Sequence, residues 1–336
     1  MTHTTDPDAQ QPMTTSPEPP NFRGYLWGVA GGLVGAVTAF CLLLTLLDQT
    51  GNLPPPAFSN NLCADEKLEF LRANHAQDPN LLVMGSSVAW RHVDSNTLIE
   101  HAPGIRPLNG AFCGMHVNQS VYIADWLLER EPGIEQVVML VDPIDFAGCS
   151  VLPDEPFDKQ DIDAFVYGDA WRWQYYMRYF SPVSLLRNAQ TVQAQRSNLD
   201  EMNPLVFNRF GDGPLNTRGS RGLFYGQPEP LDPVCFDALA SMARRLQHEG
   251  KPFTIVTSPL NPDWKAKFDP KGELGTRFNQ ALAKTLGGTG ARLWDGDNGW
   301  EPGAAAFIDA IHMRWSAAKG FTEALAEKLP DHRRGA

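Results

Sequence analysis

The chain has 336 residues, 43% hydrophobic and 20% charged, with a formal net charge of −11. That length holds one large domain or two small ones. Its 39 acidic against 28 basic residues include no dense Lys/Arg cluster, which argues against a nucleic-acid partner, since such binding rests on neutralising phosphates.

Residues 1–23 are rich in Thr, Pro, Gln and Asp and carry no periodic apolar positions, so they read as a disordered tail. Gly24 to Leu47 then runs without a charge. At about 1.5 Å per residue it reaches about 36 Å, enough to cross a hydrocarbon core of about 30 Å. The run is longer than the about 7–15 apolar residues of a cleaved signal peptide, and no A-x-A site follows it. It is expected to be an uncleaved membrane anchor over 24–47. Arg23 precedes it, and the next basic residue is Lys67. The positive-inside rule therefore places the N-terminus in the cytoplasm and the bulk of the chain on the periplasmic, extracytoplasmic side of the cytoplasmic (inner) membrane. Gly24, Gly28, Gly32 and Ala36 recur every fourth residue, the small-residue pattern of paired transmembrane helices. Glycine is also common in spans generally, so a transmembrane-helix dimer stands beside a plain single span.

Residues 48–60 are rich in Pro and Gly and read as a linker; the soluble domain is expected over 61–336. Of the five cysteines, Cys41 lies in the span. Cys63, Cys113, Cys149 and Cys235 form an even set where disulfides persist, and allow three pairings. Cys113 and Cys149 each closely follow an expected strand, which favours their pairing. No C-x-x-C occurs, which argues against structural zinc, and no other metal-ligand or phosphate-cradling spacing appears. No cofactor is expected.

Apolar runs predict strands at 81–85, 106–112, 137–142, 252–260 and 291–295. Helical periodicity predicts helices at 117–130, 236–249, 276–286 and 316–329, the last with Ser316 as N-cap. Apolar strands alternating with helices imply an α/β fold, a parallel sheet covered on both faces in three flavodoxin-like layers. Residues 150–230 break the rhythm and read as a helical and loop insertion. Its aromatic and arginine-rich stretch, AWRWQYYMRYF at 170–180, suits a packing cap or a sugar-stacking surface.

Ligands of open parallel sheets bind at the C-terminal ends of strands. Gly85-Ser86-Ser87 leaves the first strand, Asn109 to Gly114 the second, and Asp309 to His312 precedes the last helix. A serine hydroxyl becomes a nucleophile when a base takes its proton and a carboxylate orients that base. Ser87, His312 and Asp309 supply these types. Backbone N–H groups of Ser87 and Gly114 suit a developing oxyanion. His92 and His116 lie near the candidate serine and glycine in sequence and read as substrate contacts or helix-start residues. Asp142 and Asp145 flank Pro143 and read as substrate contacts or turn residues. Arg91 reads as an anion contact or a helix-face residue.

GSS after the first strand, N-x-x-x-x-G after the second and D-x-x-H before the last helix resemble the SGNH (GDSL-like) hydrolase superfamily over roughly residues 78–330. The single N-terminal span with GSS is similar to envelope proteins of the DltD type. The resemblance implies Ser87 as nucleophile, Gly114 as oxyanion glycine, and Asp309 and His312 as the rest of a triad. Asn109, Asn118 and Asp142 are further candidate substrate-binding positions. Two departures stand out. Ser86 replaces the usual Asp, and the loop after the third strand reads VDPIDF without the family's Asn, for which Asn118 is a stand-in. The resemblance implies an acyl esterase or O-acyltransferase acting on an acylated envelope glycan or exopolysaccharide, working with a membrane-embedded acyl donor protein. Two other readings stay open: a non-catalytic scaffold or glycan-binding protein of polysaccharide assembly, and a receptor-type domain on the same sheet.

Overall fold

The computed structural model describes residues 22–75, 78–225 and 228–330. The tail expected to be disordered lies outside these, apart from Phe22 and Arg23, which begin the first helix. The chain divides into two units, Met1–Gly51 and Asn52–Ala336.

The first unit holds the helix Phe22–Gln49, 28 residues long. It is long and apolar enough to cross a membrane. Tyr25, Leu26, Trp27, Leu33 and Val34 are exposed along it, and such an apolar surface calls for lipid or another helix rather than water.

The second unit is built on five strands: β1 (Leu81–Gly85), β2 (Pro107–Asn109), β3 (Gln136–Val141), β4 (Phe253–Thr257) and β5 (Arg292–Trp294). All pair in parallel, in the order β2-β1-β3-β4-β5. This is the flavodoxin-like order, whose direction reverses between β1 and β3. Successive side chains of a strand point to opposite faces. Leu82, Met84, Val137, Met139 and Ile255 accordingly pack with helices Val117–Arg130, Pro233–His248 and Glu273–Leu286. Leu81, Val83, Val138, Leu140 and Val256 pack on the other face with Trp90, Leu98, Phe321 and Leu325 of helices Ser87–His92, Ser95–His101 and Trp315–Ala326.

The third helix of the first face starts earlier than its periodicity suggests, at Glu273. The helix expected at 236–249 begins at Pro233, because the Asp232 side chain accepts the Val234 N–H and Pro suits the first helical position. The last helix corrects an expectation. Ser316 lies within its first turn, and the cap is Arg314 in extended conformation. The Arg314 guanidinium donates to the carbonyls of Thr217, Gly219 and Ala305, and these bonds fix the chain direction before Ser316 is reached.

The expected Cys113–Cys149 pairing is overturned. The disulfides are Cys63–Cys113 and Cys149–Cys235. Cys113 leaves β2 and Cys149 follows β3, and β1 lies between those strands. Two strand spacings come to about 9–10 Å, beyond the about 4.4–6.8 Å between Cα atoms that a disulfide spans.

The insertion contains short helices at Lys159–Val166, Trp173–Arg178, Pro182–Ala189 and Val192–Arg196. Its aromatic residues mostly serve packing. Phe58 meets the rings of Phe165, Tyr175 and Tyr179 at 4.8, 5.2 and 4.9 Å, and Tyr176 donates to the Pro54 carbonyl. The Pro-rich segment expected to be a linker is thereby docked on the domain.

Candidate active site

β1 ends at Gly85 with φ +135°, a conformation closed to most L side chains. A Cβ there would fall 2.3 Å from the Leu140 carbonyl oxygen, so only glycine lets β1 and β3 run side by side at this point. Ser86 caps the following helix through its Oγ, which accepts the Val88 N–H. Ser87 is therefore the first helical residue, with its hydroxyl at the C-terminal edge of the sheet. The first N–H groups of a helix have no partner within it.

The loop before the last helix brings its residues to the same edge. His312 Nε2 lies 2.8 Å from Ser87 Oγ, and His312 Nδ1 lies 2.9 Å from Asp309 Oδ2. A carboxylate only accepts hydrogen bonds, so Nδ1 carries the ring proton and Nε2 is left as the acceptor facing the hydroxyl. Asp309 Oδ1 also accepts the backbone N–H groups of Ile311 and His312 at 3.0 and 2.7 Å. Burial alone would raise the Asp309 carboxyl. The His312 ring, through its hydrogen bond and its charge, and the two backbone N–H groups outweigh burial and hold it at about 2. Asp309 is thus ionised across the neutral range.

His92 braces this loop from beneath. Its Nδ1 lies 2.8 Å from Ser258 Oγ, and its Nε2 accepts the Met313 N–H at 2.8 Å. Burial, then the neighbouring His312, keep its ring neutral and well below the ordinary histidine range. It is fully buried and lies outside the cavity lining.

A cavity of about 480 Å³ opens over Ser87. Ser86, Ser87, Gly114, Asp145 and His312 line its floor, and Asn203, Leu205, Arg221 and Tyr225 of the insertion line its wall. Gly114 has φ +71°, and a Cβ there would lie 2.7 Å from Asn61 Nδ2. Neither the Ser87 nor the Gly114 N–H donates to a backbone acceptor among the described residues, so both remain available beside the Ser87 hydroxyl.

The other expected substrate contacts sit elsewhere. Asn109 is fully buried, and its Nδ2 donates to Asp212 Oδ1 at 2.9 Å while its Oδ1 accepts the Ala111 N–H. Asn118 is buried, and its Nδ2 donates to the Cys149 carbonyl and to Asp154. Asp142 is fully buried, and its Oδ1 accepts the N–H groups of Ile144 and Asp145. None of the three lines the cavity. Their hydrogen bonds run to loop backbone and to neighbouring carboxyl groups, not to the cavity where substrate contacts were expected.

Two residues without a sequence signal join the site. Arg221 Nη1 donates to Asp309 Oδ2 at 3.1 Å and its Nη2 to Asn203 Oδ1. The Tyr225 ring lies 5.7 Å from that of His312. Both come from a Gly- and Asn-rich loop whose path no periodicity reveals. Arg91, also on the lining, donates to the carbonyls of Gly213 and Pro204 and stacks on Trp90 at 3.7 Å. No group of three or more His, Cys, Asp or Glu side chains able to hold a metal occurs among the described residues.

No protein-family profile matches the chain, and no curated protein matches its sequence. Solved structures similar to it include an inhibitor-bound aryl esterase of M. smegmatis and a carbohydrate acetylesterase of Sinorhizobium meliloti. Each is 10% identical, aligns over 74% of this chain and 97% of its own, and superposes with a TM-score of 0.35.

Proposed function

We propose that the chain is a membrane-anchored acyl esterase or O-acyltransferase whose nucleophile is Ser87. The observation that carries this reading is the unbroken hydrogen-bond chain from Ser87 Oγ through the His312 ring to Asp309. In it, His312 Nε2 takes the Ser87 proton as Oγ attacks an acyl carbonyl. The carbonyl electrons move to oxygen, and the N–H groups of Ser87 and Gly114 meet the developing charge. Collapse expels the alcohol, which recovers its proton from His312, and leaves an acyl-enzyme. Water as second acceptor completes an esterase cycle, and a sugar hydroxyl completes a transferase cycle.

The apolar helix Phe22–Gln49 supports anchoring, and the two disulfides support an extracytoplasmic domain. A tethered domain meets envelope glycans more often than dilute metabolites, and the polar cavity wall of Asn203, Arg221 and Tyr225 suits a hydroxylated ligand. An acylated envelope glycan or exopolysaccharide is the substrate we assign, with a membrane-embedded acyl donor protein as partner on the transferase route.

Labelling of the full-length protein in membranes by a fluorophosphonate probe tests the reading. Labelling that Ser87→Ala and His312→Ala both abolish is expected. A folded wild-type chain that stays unlabelled, yet binds glycan, would instead fit a non-catalytic assembly role. The loop after β3, which offers no Asn to the cavity, is the one observation favouring that second reading.

A further inference from the structure

The loop leaving β3 reads Asp142-Pro143-Ile144-Asp145, and its two carboxyl groups do different things. Asp142 is fully buried and shapes the turn by accepting the N–H groups of Ile144 and Asp145 at 2.7 and 3.2 Å. Asp145 lies at the site. It lines the cavity with Ser86, Ser87, Gly114 and His312, and only 7% of it is exposed.

Its position is fixed from several sides. The Asp145 carbonyl accepts the Val117 N–H at 3.1 Å, and its N–H is held by Asp142. The Cys149–Cys235 bridge ties the segment that follows to helix Pro233–His248. Its carboxyl is hydrogen-bonded to the Ser86 side chain, next in sequence to the candidate nucleophile. β1 and β3 flank the point where the sheet order reverses, the crevice in which ligands of such sheets bind.

We propose that Asp145 is an oxyanion-hole donor. Its carboxyl O–H donates a hydrogen bond to the oxygen of the tetrahedral intermediate on Ser87, beside the N–H groups of Ser87 and Gly114. The proposal rests on Ser87 being the nucleophile. No proton is transferred by Asp145. Ser87 Oγ bonds to the acyl carbon, His312 takes the hydroxyl proton, the carbonyl electron pair moves to oxygen, and Asp145 stabilises that charge until the pair returns and the alcohol leaves.

Ser86 Oγ accepts the Val88 N–H and is hydrogen-bonded to the Asp145 carboxyl; in the proposal one carboxyl oxygen takes that bond and the other carries the acid proton. Burial first, and then the charge of Asp142, push this carboxyl well above the ordinary range, while the bonds to Ser86 and Asp142 pull the other way. Of the charged and titratable groups around the cavity, Arg91 donates to carbonyls and Arg221 to Asp309 and Asn203. Asp309 is engaged by His312. His116 and Tyr225 complete the titratable lining. None of these carries a hydrogen bond to Asp145 among the described residues.

The test measures Ser87-dependent hydrolysis of p-nitrophenyl acetate by the detergent-solubilised full chain against pH, for wild type, Asp145→Ala and Asp145→Asn. Loss of one oxyanion donor lowers kcat by about 10²–10³, and this is expected for Asp145→Ala at neutral pH. Wild-type kcat should fall as pH rises through the Asp145 titration, because the donor becomes a second anion. Asparagine donates at every pH, so Asp145→Asn should lose that alkaline fall. If Asp145→Ala does not fold, as judged by circular dichroism, the asparagine profile decides alone. Ser87-dependent turnover with Asp145→Ala within about threefold of wild type, or with the alkaline fall intact in Asp145→Asn, overturns this inference only. Absence of any Ser87-dependent turnover or labelling in the wild type overturns the nucleophile reading and this inference with it.

Discussion

Ser87 Oγ and His312 Nε2 lie 2.8 Å apart although 225 positions separate them in the chain. Neither is held by the other. Ser87 is placed by the β1-to-helix turn at Gly85, and His312 by Asp309 on one side of its ring and by the buried His92 beneath its loop. Such independent supports would hold the proposed nucleophile and base in place before substrate arrives.

Asp309→Asn is the substitution most informative about the triad. It preserves shape, but an amide can present N–H to the His312 ring and favour the wrong tautomer. Turnover of an ester substrate should fall by about 10²–10⁴ with little change in thermal stability. A rate equal to wild type would contradict the assigned role of Asp309.

Asn109→Ala separates a structural from a binding role at that position. Asn109 holds Asp212, which also accepts the Ser95 N–H, the Ser95 hydroxyl and Asn208. Leaving that buried carboxylate one donor short should cost about 1–3 kcal/mol in urea unfolding, with KM unchanged. A raised KM without lost stability would return Asn109 to the substrate site.

Lys67 gives a pH dependence of stability. Its ammonium is buried and donates to the Gly211 carbonyl. Burial lowers its pKa from 10.5 to about 7, against the opposing pull of Asp212. Between those values the unfolded chain binds more protons than the folded one, so stability rises as pH rises through that window. Urea unfolding at its two ends should show this gain, and Lys67→Met should flatten it. An unchanged slope in the variant would place the titration elsewhere.

The disulfides brace the loops that carry Gly114 and Asp145. Peptide mapping without reduction should recover Cys63–Cys113 and Cys149–Cys235. Cys149→Ser should cost about 2–5 kcal/mol of stability. A recovered Cys113–Cys149 peptide would contradict the arrangement.

By itself the sequence determined the apolar helix, the parallel α/β class, the strand ends from which Ser87 and Gly114 emerge and the pre-helix loop of Asp309–His312. Those features depend on local runs of side chains: an uncharged stretch, apolar strands bounded by glycine, and periodic helices. What only the tertiary structure decided depends on which segments meet across the sheet. Strand order put β1 between the exits of β2 and β3 and so redirected the cysteine pairing. It also turned Asn109, Asn118 and Asp142 inward to satisfy loop backbone and buried carboxyl groups. The insertion carried Arg221 and Tyr225 over the site from a loop with no periodicity to follow. Local pattern fixes which way a residue faces from its own element, whereas its partners are spatial neighbours that here lie a hundred or more positions away, and no spacing in the sequence encodes them.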